Sequence, residues 1–527
     1  MIRGLIIALS LASSAQAQEH IQLIGLNDFH GQLVAGRRID GRPVGGASAL
    51  AAYVQREASR APTLIVHAGD WVGASPPESA LLQDEPSIDF LGMLGSAECT
   101  RATPYHPKCN VVGTPGNHEF DEGVDELLRL LRGAKPWPGA RVSYVSANVV
   151  DRAGKTILPP YVIKQVGHVR VGVIGATLRE APTMVVAAGV KRVRFLDEAQ
   201  AINTQVRALK KRGVRVIVVT IHQGGPQAPY EGPTRADAAG PTEGIPPILH
   251  TLDDEVDVVI SGHAHAFTNA LMRNASGHEI LVTQSLASGQ ALSVIDLTVR
   301  EDVTEKTARV LLTYADAGVP TRADVDALVE RAKAAVAPMT ARVVGHSLLA
   351  LESDLDPAGN SILGNLIADA QRAAVGAQLG LMNQGGVRTD LPAGDVHWGE
   401  LFALQPFRNV VMALELTGAQ IVRALEQQWL DPSRTHRLTV SGMRYTWNPA
   451  AAPGARIVEV EVGSQRLDPE ARYRVAVNNF LAEGGSGFTM FREASKSEVG
   501  PVDLDALVAY ITKHGFPREL EPRAFAF

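Results

Sequence analysis

The chain has 527 residues, too many for one ordinary core, so two domains are expected, with a large interior available to each. Its apolar content of 45% against 20% charged residues is that of a soluble globular protein. A net charge of -6 gives no electrostatic reason to expect a nucleic-acid polymer or an anionic membrane as partner.

The first residues read as an export signal. Arg3 supplies a weakly positive start, Leu5 to Leu11 an apolar core, and Ala15-Gln16-Ala17 a small-residue cleavage site. Residues 1–17 are therefore expected to be removed and the mature protein to work in a periplasm or outside the cell. The apolar run is too short to span a bilayer, and no later segment approaches the roughly 20 apolar residues that a span needs.

From Ile21 to Leu26, IQLIGL is an apolar run followed at once by Asn27-Asp28-Phe29-His30-Gly31. In extended chain, residues two apart point the same way, so Asp28 and His30 would present a carboxylate and an imidazole to one place. A surface turn is the bland alternative. Gly45 to Glu57 reads as a helix with Leu50 and Val54 on one face. A second strand, Thr63 to Val66, runs into His67-Ala68-Gly69-Asp70, and Ser87 to Leu94 reads as a helix punctuated by Pro86 and Gly95. The two cysteines, Cys99 and Cys109, flank a Pro-containing loop. A zinc site needs more ligands than this pair, and in an oxidising compartment a short-range disulfide is expected.

A third strand around Val111 and Val112 delivers GTPGNHEFD, Gly113 to Asp121. Asn117, His118, Glu119 and Asp121 crowd four chemically capable side chains at a strand end, where α/β proteins place chemistry. Taken alone, a Pro/Gly turn starting the next helix explains them equally well. In that helix Leu127, Leu128 and Leu131 form a core-facing stripe. Val169 to Ile174 is a strand without an obvious ligand. Arg215 to Ile221 ends in His222-Gln223-Gly224-Gly225, and Glu255 to Ile260 ends in Ser261-Gly262-His263-Ala264-His265.

A lone histidine is more often a hydrogen-bonded structural residue than a ligand. Here five apolar runs terminate in Asp28/His30, Asp70, Asn117/His118, His222 and His263/His265, and strands alternating with helices imply a largely parallel, buried sheet. If the strands are parallel, all five ends lie on one edge. Two carboxylates, an amide oxygen and up to five imidazoles exceed what one metal needs and suit two.

Around Arg300 the character changes. Val325, Leu328, Val329, Ala332 and Val336 recur at helical spacing, a connector between domains. After it come a helix from Ile362 to Ala374, an apolar run from Leu379 to Met382 leading into Asn383-Gln384-Gly385-Gly386-Val387-Arg388, a helix from Ala419 to Trp429, and strands around Ile457 to Val462 and Tyr473 to Val477. Gly385 and Gly386 let a backbone approach a ligand closely, with Arg388 beside them as an anion or ring-edge donor. Phe407, after Pro406, and Phe488, after Gly484-Gly485-Ser486-Gly487, could sandwich a flat ring, although each alone reads more simply as core or loop anchor.

With the NDFHG, GD, GNHE and GHAH motifs and His222 in hand, the first domain resembles the calcineurin-like metallophosphoesterases. Combined with Asn383 to Arg388, Gln405-Pro406-Phe407 and the run Asn479 to Phe488, the chain resembles the two-domain 5'-nucleotidase family, including bacterial UDP-sugar hydrolases. The resemblance implies an α/β fold: a four-layer α+β metallophosphoesterase domain with buried mixed sheets over 18–300, a helical linker over 301–345, and a smaller α/β nucleoside-binding domain over 346–527. It implies that Asp28, His30, Asp70 and His265 bind one divalent ion and Asp70, Asn117, His222 and His263 the other, Asp70 bridging. It further implies that His118 contacts the reacting phosphate, that Asp121 orients His118, and that Asn383, Gly386, Arg388, Phe407 and Phe488 hold the nucleoside. The ligand set is compatible with Zn, Mn, Co or Fe.

The chain departs from the family pattern in two places. Gly359 and Asn360 stand where well-studied members carry an arginine before Gly364-Asn365-Leu366, and Arg408 stands where they often carry glycine, a source of compensating charge. The implied activity is hydrolysis of nucleoside 5'-monophosphates and other small nucleotides by metal-activated water. Related activities on UDP-sugars, 2',3'-cyclic nucleotides or sulfur esters, and a non-catalytic ligand-binding role, are the alternatives.

Overall fold

The strand β1, Glu19–Leu26, is buried on both faces, which is why it reads as a continuous apolar run instead of an alternating one. In this computed structural model, which describes residues 18–300, 302–430 and 436–527, it pairs parallel with β2, Thr63–His67, and antiparallel with Ala291–Val299. β2 in turn pairs parallel with β3, Val111–Gly113. These strands belong to one six-stranded sheet. The strands β4, Val216–His222, and β5, Val258–Ser261, are parallel neighbours in a second six-stranded sheet. The expected export signal, residues 1–17, lies outside the described residues.

The two sheets face each other through Leu23, Leu64 and Val112 on one side and Val171, Val173, Val218 and Ile260 on the other. On the outer face of the first sheet lie the helices Ala47–Ala58 and Glu85–Leu94, and on that of the second lie Glu198–Lys211 and Pro246–Thr251. The layers therefore run helix, sheet, sheet, helix. Both sheets are mixed, because Ala291–Val299, Val303–Leu312, Phe267–Arg273 and Tyr161–Val166 run against their neighbours. The ligand-bearing strand ends thus come from two sheets packed face to face, not from the edge of one parallel sheet.

The helix Ala323–Thr340 buries Val325, Leu328, Val329 and Ala332 in the core that also holds Leu50 and Leu91, so its first half is docked on the first domain. Just beyond its end, the Arg342 carbonyl accepts from the backbone N–H of Trp398 in the second domain. That domain is built on a five-stranded sheet containing Leu379–Asn383, Val410–Thr417, Leu438–Ser441 and Arg472–Asn478. The helices Ile362–Ala374 and Asp503–His514 contribute Leu363, Ile367, Leu507 and Ile511 to one of its cores. Among the described residues no helix is long and apolar enough to cross a membrane.

Candidate metal and substrate site

The five ligand-bearing strand ends converge. Asp28, His30 and His265 form one group of donor atoms, and Asp70, His222 and His263 form a second. His30 Nε2 stands 3.0 Å from His265 Nε2, and His265 Nε2 3.3 Å from Asp28 Oδ1. Asp70 lies between the groups, with Oδ2 3.0 Å from His222 Nε2 and 3.7 Å from His30 Nε2. Asn117 Oδ1 is 3.1 Å from the same His222 Nε2. All seven residues expected as ligands are therefore at one place.

These side chains are aimed by backbone in an unusual state. Asp28, His30, Asp70, His263 and His265 have φ of 50°, 49°, 50°, 73° and 51°, in the left-handed region that non-glycine residues seldom occupy. Such strain concentrates at functional sites. Gly116 lets its loop approach Asp70 closely, since a Cβ there would run into the Asp70 side chain.

The tautomers test whether the donor set suits a cation. His222 Nδ1 lies 2.7 Å from the Ala68 carbonyl and His30 Nδ1 2.9 Å from the Gly73 carbonyl, so both Nδ1 atoms must carry the proton. In the neutral rings both Nε2 atoms then present bare lone pairs, His222 toward Asp70 Oδ2 and Asn117 Oδ1, His30 toward His265 Nε2. Lone pairs converging in this way require a cation among them, a second proton or a metal. Without a metal, burial opposes the charged His222 ring but Asp70 outweighs it and lifts its pKa to about 9. Burial would raise the Asp70 pKa, yet the His222 and His118 imidazoles hold that carboxyl well below its ordinary value. The residues fit divalent ions.

Residues that composition and spacing left without a role complete the support. Glu119 is buried, and its Oε2 accepts from the backbone N–H of Asp70 at 2.9 Å and Gly116 at 2.6 Å, while Oε1 accepts from Trp71 N–H at 2.9 Å. It ties the Asp70 loop to the Asn117 loop. Burial and the Asp70 charge raise its pKa to about 8, against the pull of its backbone donors. Asn27 donates to Asp28 Oδ2 at 2.7 Å and to the Leu286 carbonyl, fixing the Asp28 plane. Neither contact has a local sequence signal beyond a polar residue beside a ligand.

His118 Nδ1 is 2.8 Å from Asp121 Oδ2, the pairing expected of them. Burial depresses the imidazole pKa, but Asp121 and Asp70 together raise it above the ordinary value. The His118 ring stacks on Phe407 of the second domain, centroids 5.6 Å apart at 21°, and the Arg388 guanidinium lies 5.7 Å from that Phe407 ring. Asn383, Gly386, Arg388 and Phe407 line the same cavity of about 680 Å³ as Asp70, Asn117, His118, Asp121, His263 and His265. Arg408 lines it too, at a φ of 55° that suits glycine, and its charge acts on Glu122 of the first domain.

Phe488 corrects the expectation of a stacking pair. Its ring is fully buried in the second domain's core, 6.2 Å from Phe491 and grouped with Trp429 and Leu481, so no face is free for a ligand. Gly484 and Ser486, with φ of 82° and 52°, turn the chain so that Phe488 enters the core. Phe480, in the same segment as Phe488, is half-buried and lines the cavity alongside Phe407, its ring packed over Gly485. Cys99 and Cys109 are joined as a disulfide.

A model of the calcineurin-like phosphoesterase family matches residues 21–267, and one described as 5'-nucleotidase, C-terminal domain, matches residues 343–493. Cell wall protein Lmo0130 of Listeria monocytogenes is 33% identical over 572 residues, covering 97% of this chain and 70% of the relative. Endonuclease YhcR of Bacillus subtilis is 32% identical over 525 residues, covering 95% of this chain but only 40% of the relative's own length. The crystal structure of a 5'-nucleotidase precursor from Thermus thermophilus is similar at a TM-score of 0.81 and 27% identity, covering 96% of this chain and 99% of that one. Fold and donor set together define a metal-dependent hydrolase of phosphoric esters. The chain belongs to the 5'-nucleotidase family, with a calcineurin-like phosphoesterase domain followed by a 5'-nucleotidase C-terminal domain.

Proposed function

We propose that the protein is an exported phosphohydrolase that holds two divalent ions and converts nucleoside 5'-monophosphates to nucleoside and phosphate. The observation that carries this reading is one cavity lined by His265 of the first donor group, Asp70 and His263 of the second, Asn117, the His118–Asp121 pair, and Asn383, Gly386, Arg388 and Phe407. Asp28, His30 and His265 would hold one ion, Asn117, His222 and His263 the other, with Asp70 between them. Divalent ions bound there neutralise phosphoryl oxygens and acidify water.

The chain's own residues do the rest. With Nδ1 committed to Asp121, His118 meets the substrate through Nε2, and its raised pKa keeps a proton there for the oxygen on which negative charge develops. Arg388, whose half-buried guanidinium is balanced by Asp70 and Asp121, gives the phosphoryl group a second cationic contact. Phe407 offers a ring face to the base, and Gly386 a bare backbone beside it. The cleavage motif at Ala15-Gln16-Ala17, the Cys99–Cys109 disulfide and the similarity to a protein described as a cell wall protein support export.

The test is a substrate panel after reconstitution with Mn²⁺ or Co²⁺: AMP, UDP-glucose and 2',3'-cyclic AMP, read as initial rates. The reading requires AMP to be cleaved with the highest kcat/KM of the three. A preference for UDP-glucose or the cyclic nucleotide reassigns the leaving group, and no release of phosphate from any of them sinks the hydrolase reading.

A further inference from the structure

The cavity continues beyond the donor groups to a wall made by Gln384, Gly385, His436 and Arg437 of the second domain. Arg437 immediately precedes the strand Leu438–Ser441, whose Leu438 pairs opposite Asn383, and its carbonyl accepts from Gln384 N–H at 3.1 Å. The backbone thus fixes Arg437 beside the Gly385–Gly386 loop. Its guanidinium carbon lies 4.5 Å from the centre of the Trp447 ring and 5.3 Å from that of Trp429, and the two indoles are stacked 4.8 Å apart. Cation–π contact of this kind satisfies none of the guanidinium's N–H donors.

One of those donors is not satisfied within the protein. Arg437 Nη1 is buried and has no hydrogen-bond partner. Gly359, at a φ of 107°, leaves the space beside Nη1 without a side chain. A buried donor without an acceptor is costly, and because Arg437 also lines the ligand cavity, an acceptor can arrive with the ligand. Arg388 and Arg437 serve different ends of the cavity. Beyond burial, which lowers both, Arg388 responds to Asp70, Asp121 and Asp28, whereas Arg437 responds to Tyr445, Arg456 and Asp356 and to none of the donor-group carboxylates.

We propose that Arg437 anchors a second anionic group on the leaving side of the substrate, so that the preferred substrates are nucleotides carrying a phosphate besides the one cleaved, such as nucleoside 3',5'-bisphosphates. This rests on the nucleotidase reading of the site. A guanidinium fork matches two phosphate oxygens at once, a geometry that neither lysine nor methionine reproduces.

The test measures kcat and KM of the metal-loaded protein for adenosine 5'-monophosphate and adenosine 3',5'-bisphosphate, with wild type, Arg437→Met and Arg437→Lys. Wild type is expected to show a KM for the bisphosphate about tenfold below that for the monophosphate, the size of one charge-assisted contact. R437M removes that advantage, with kcat and the monophosphate KM each within about threefold of wild type, and R437K restores only part of it. Calorimetric binding of adenosine 3'-monophosphate, which has no 5' phosphate to lose, is expected to weaken about tenfold in R437M. Equal KM values for the two substrates in wild type, or a rise of both alike in R437M, overturns the proposal. If R437M loses its melting transition, R437K alone must show a reduced advantage for the proposal to stand. If wild type cleaves neither nucleotide, the nucleotidase reading fails, and the 3'-monophosphate titration still decides whether Arg437 binds the second phosphate.

Discussion

Replacing Glu119 by glutamine probes how the metal ligands are held without touching a ligand. The carboxylate now accepts three backbone N–H groups, from Asp70, Trp71 and Gly116. A carboxamide has one oxygen. Placed where Oε2 sits, it keeps the Asp70 and Gly116 bonds but turns an NH₂ toward Trp71 N–H, leaving one buried donor unmet. Placed the other way it strands two. An unmet buried donor costs about 1–3 kcal/mol. Because the two loops carry Asp70 and Asn117, that cost falls on the geometry of the donor group, and at 1.4 kcal/mol per decade it corresponds to roughly one to two decades of metal affinity. The assay is calorimetric titration of metal-stripped wild type and E119Q with Mn²⁺, followed by turnover at saturating metal. Affinity should fall about 10–100-fold while turnover at saturation largely recovers. An affinity within twofold of wild type would refute the view that Glu119 sets the loop geometry.

Three further outcomes are expected. His118→Ala should retain metal, measured by metal content, and lose about two to four decades of kcat, the range for one positioned acid or base; unchanged turnover removes His118 from the mechanism. Phe480→Ala should raise KM for nucleotide with little change in melting temperature. Phe488→Ala should cost about 3–5 kcal/mol of stability in denaturant melts and leave KM alone, and the reverse pattern would return Phe488 to the site. Asp257→Asn tests a buried carboxyl far from the site. Burial raises the Asp257 pKa from 3.8 to about 7, so between those values the unfolded chain is ionised while the folded one stays protonated, and wild type loses stability as pH rises through the window. D257N should therefore gain melting temperature relative to wild type from pH 4 to pH 7, and a constant difference would contradict the raised pKa.

The first domain's chemistry was legible because it sits at strand ends. Apolar runs locate the strands whose ends carry Asp28, His30, His263 and His265, although these four residues lie in left-handed backbone and not in the extended chain that their spacing of two assumed. The helix Ile362–Ala374 was legible for a local reason as well, since Ser361 caps it by accepting from Gly364 N–H at 3.1 Å. What depends on tertiary contact was not legible. That β4 and β5 lie in a second sheet follows from pairings with strands far along the chain, which leave no mark on the apolar runs. Glu119 acts on backbone groups nearly fifty residues away. Phe480 and Phe488 lie in one Gly-rich segment, and only the turn through Gly484 and Ser486 decides which ring meets the cavity and which fills the core.

The left-handed backbone at Asp28, His30, Asp70, His263 and His265 carries a consequence for how this protein can be altered. Each such residue costs of the order of 1–3 kcal/mol relative to relaxed chain, a cost that glycine would largely remove. The same five positions hold most of the metal-donor atoms, so the substitutions that relieve strain are those that delete ligands. A mutant library screened only for heat resistance would be drawn toward glycine at these positions and would return sturdy proteins with an emptied centre. Selection for thermal stability therefore has to be coupled to a metal or turnover readout.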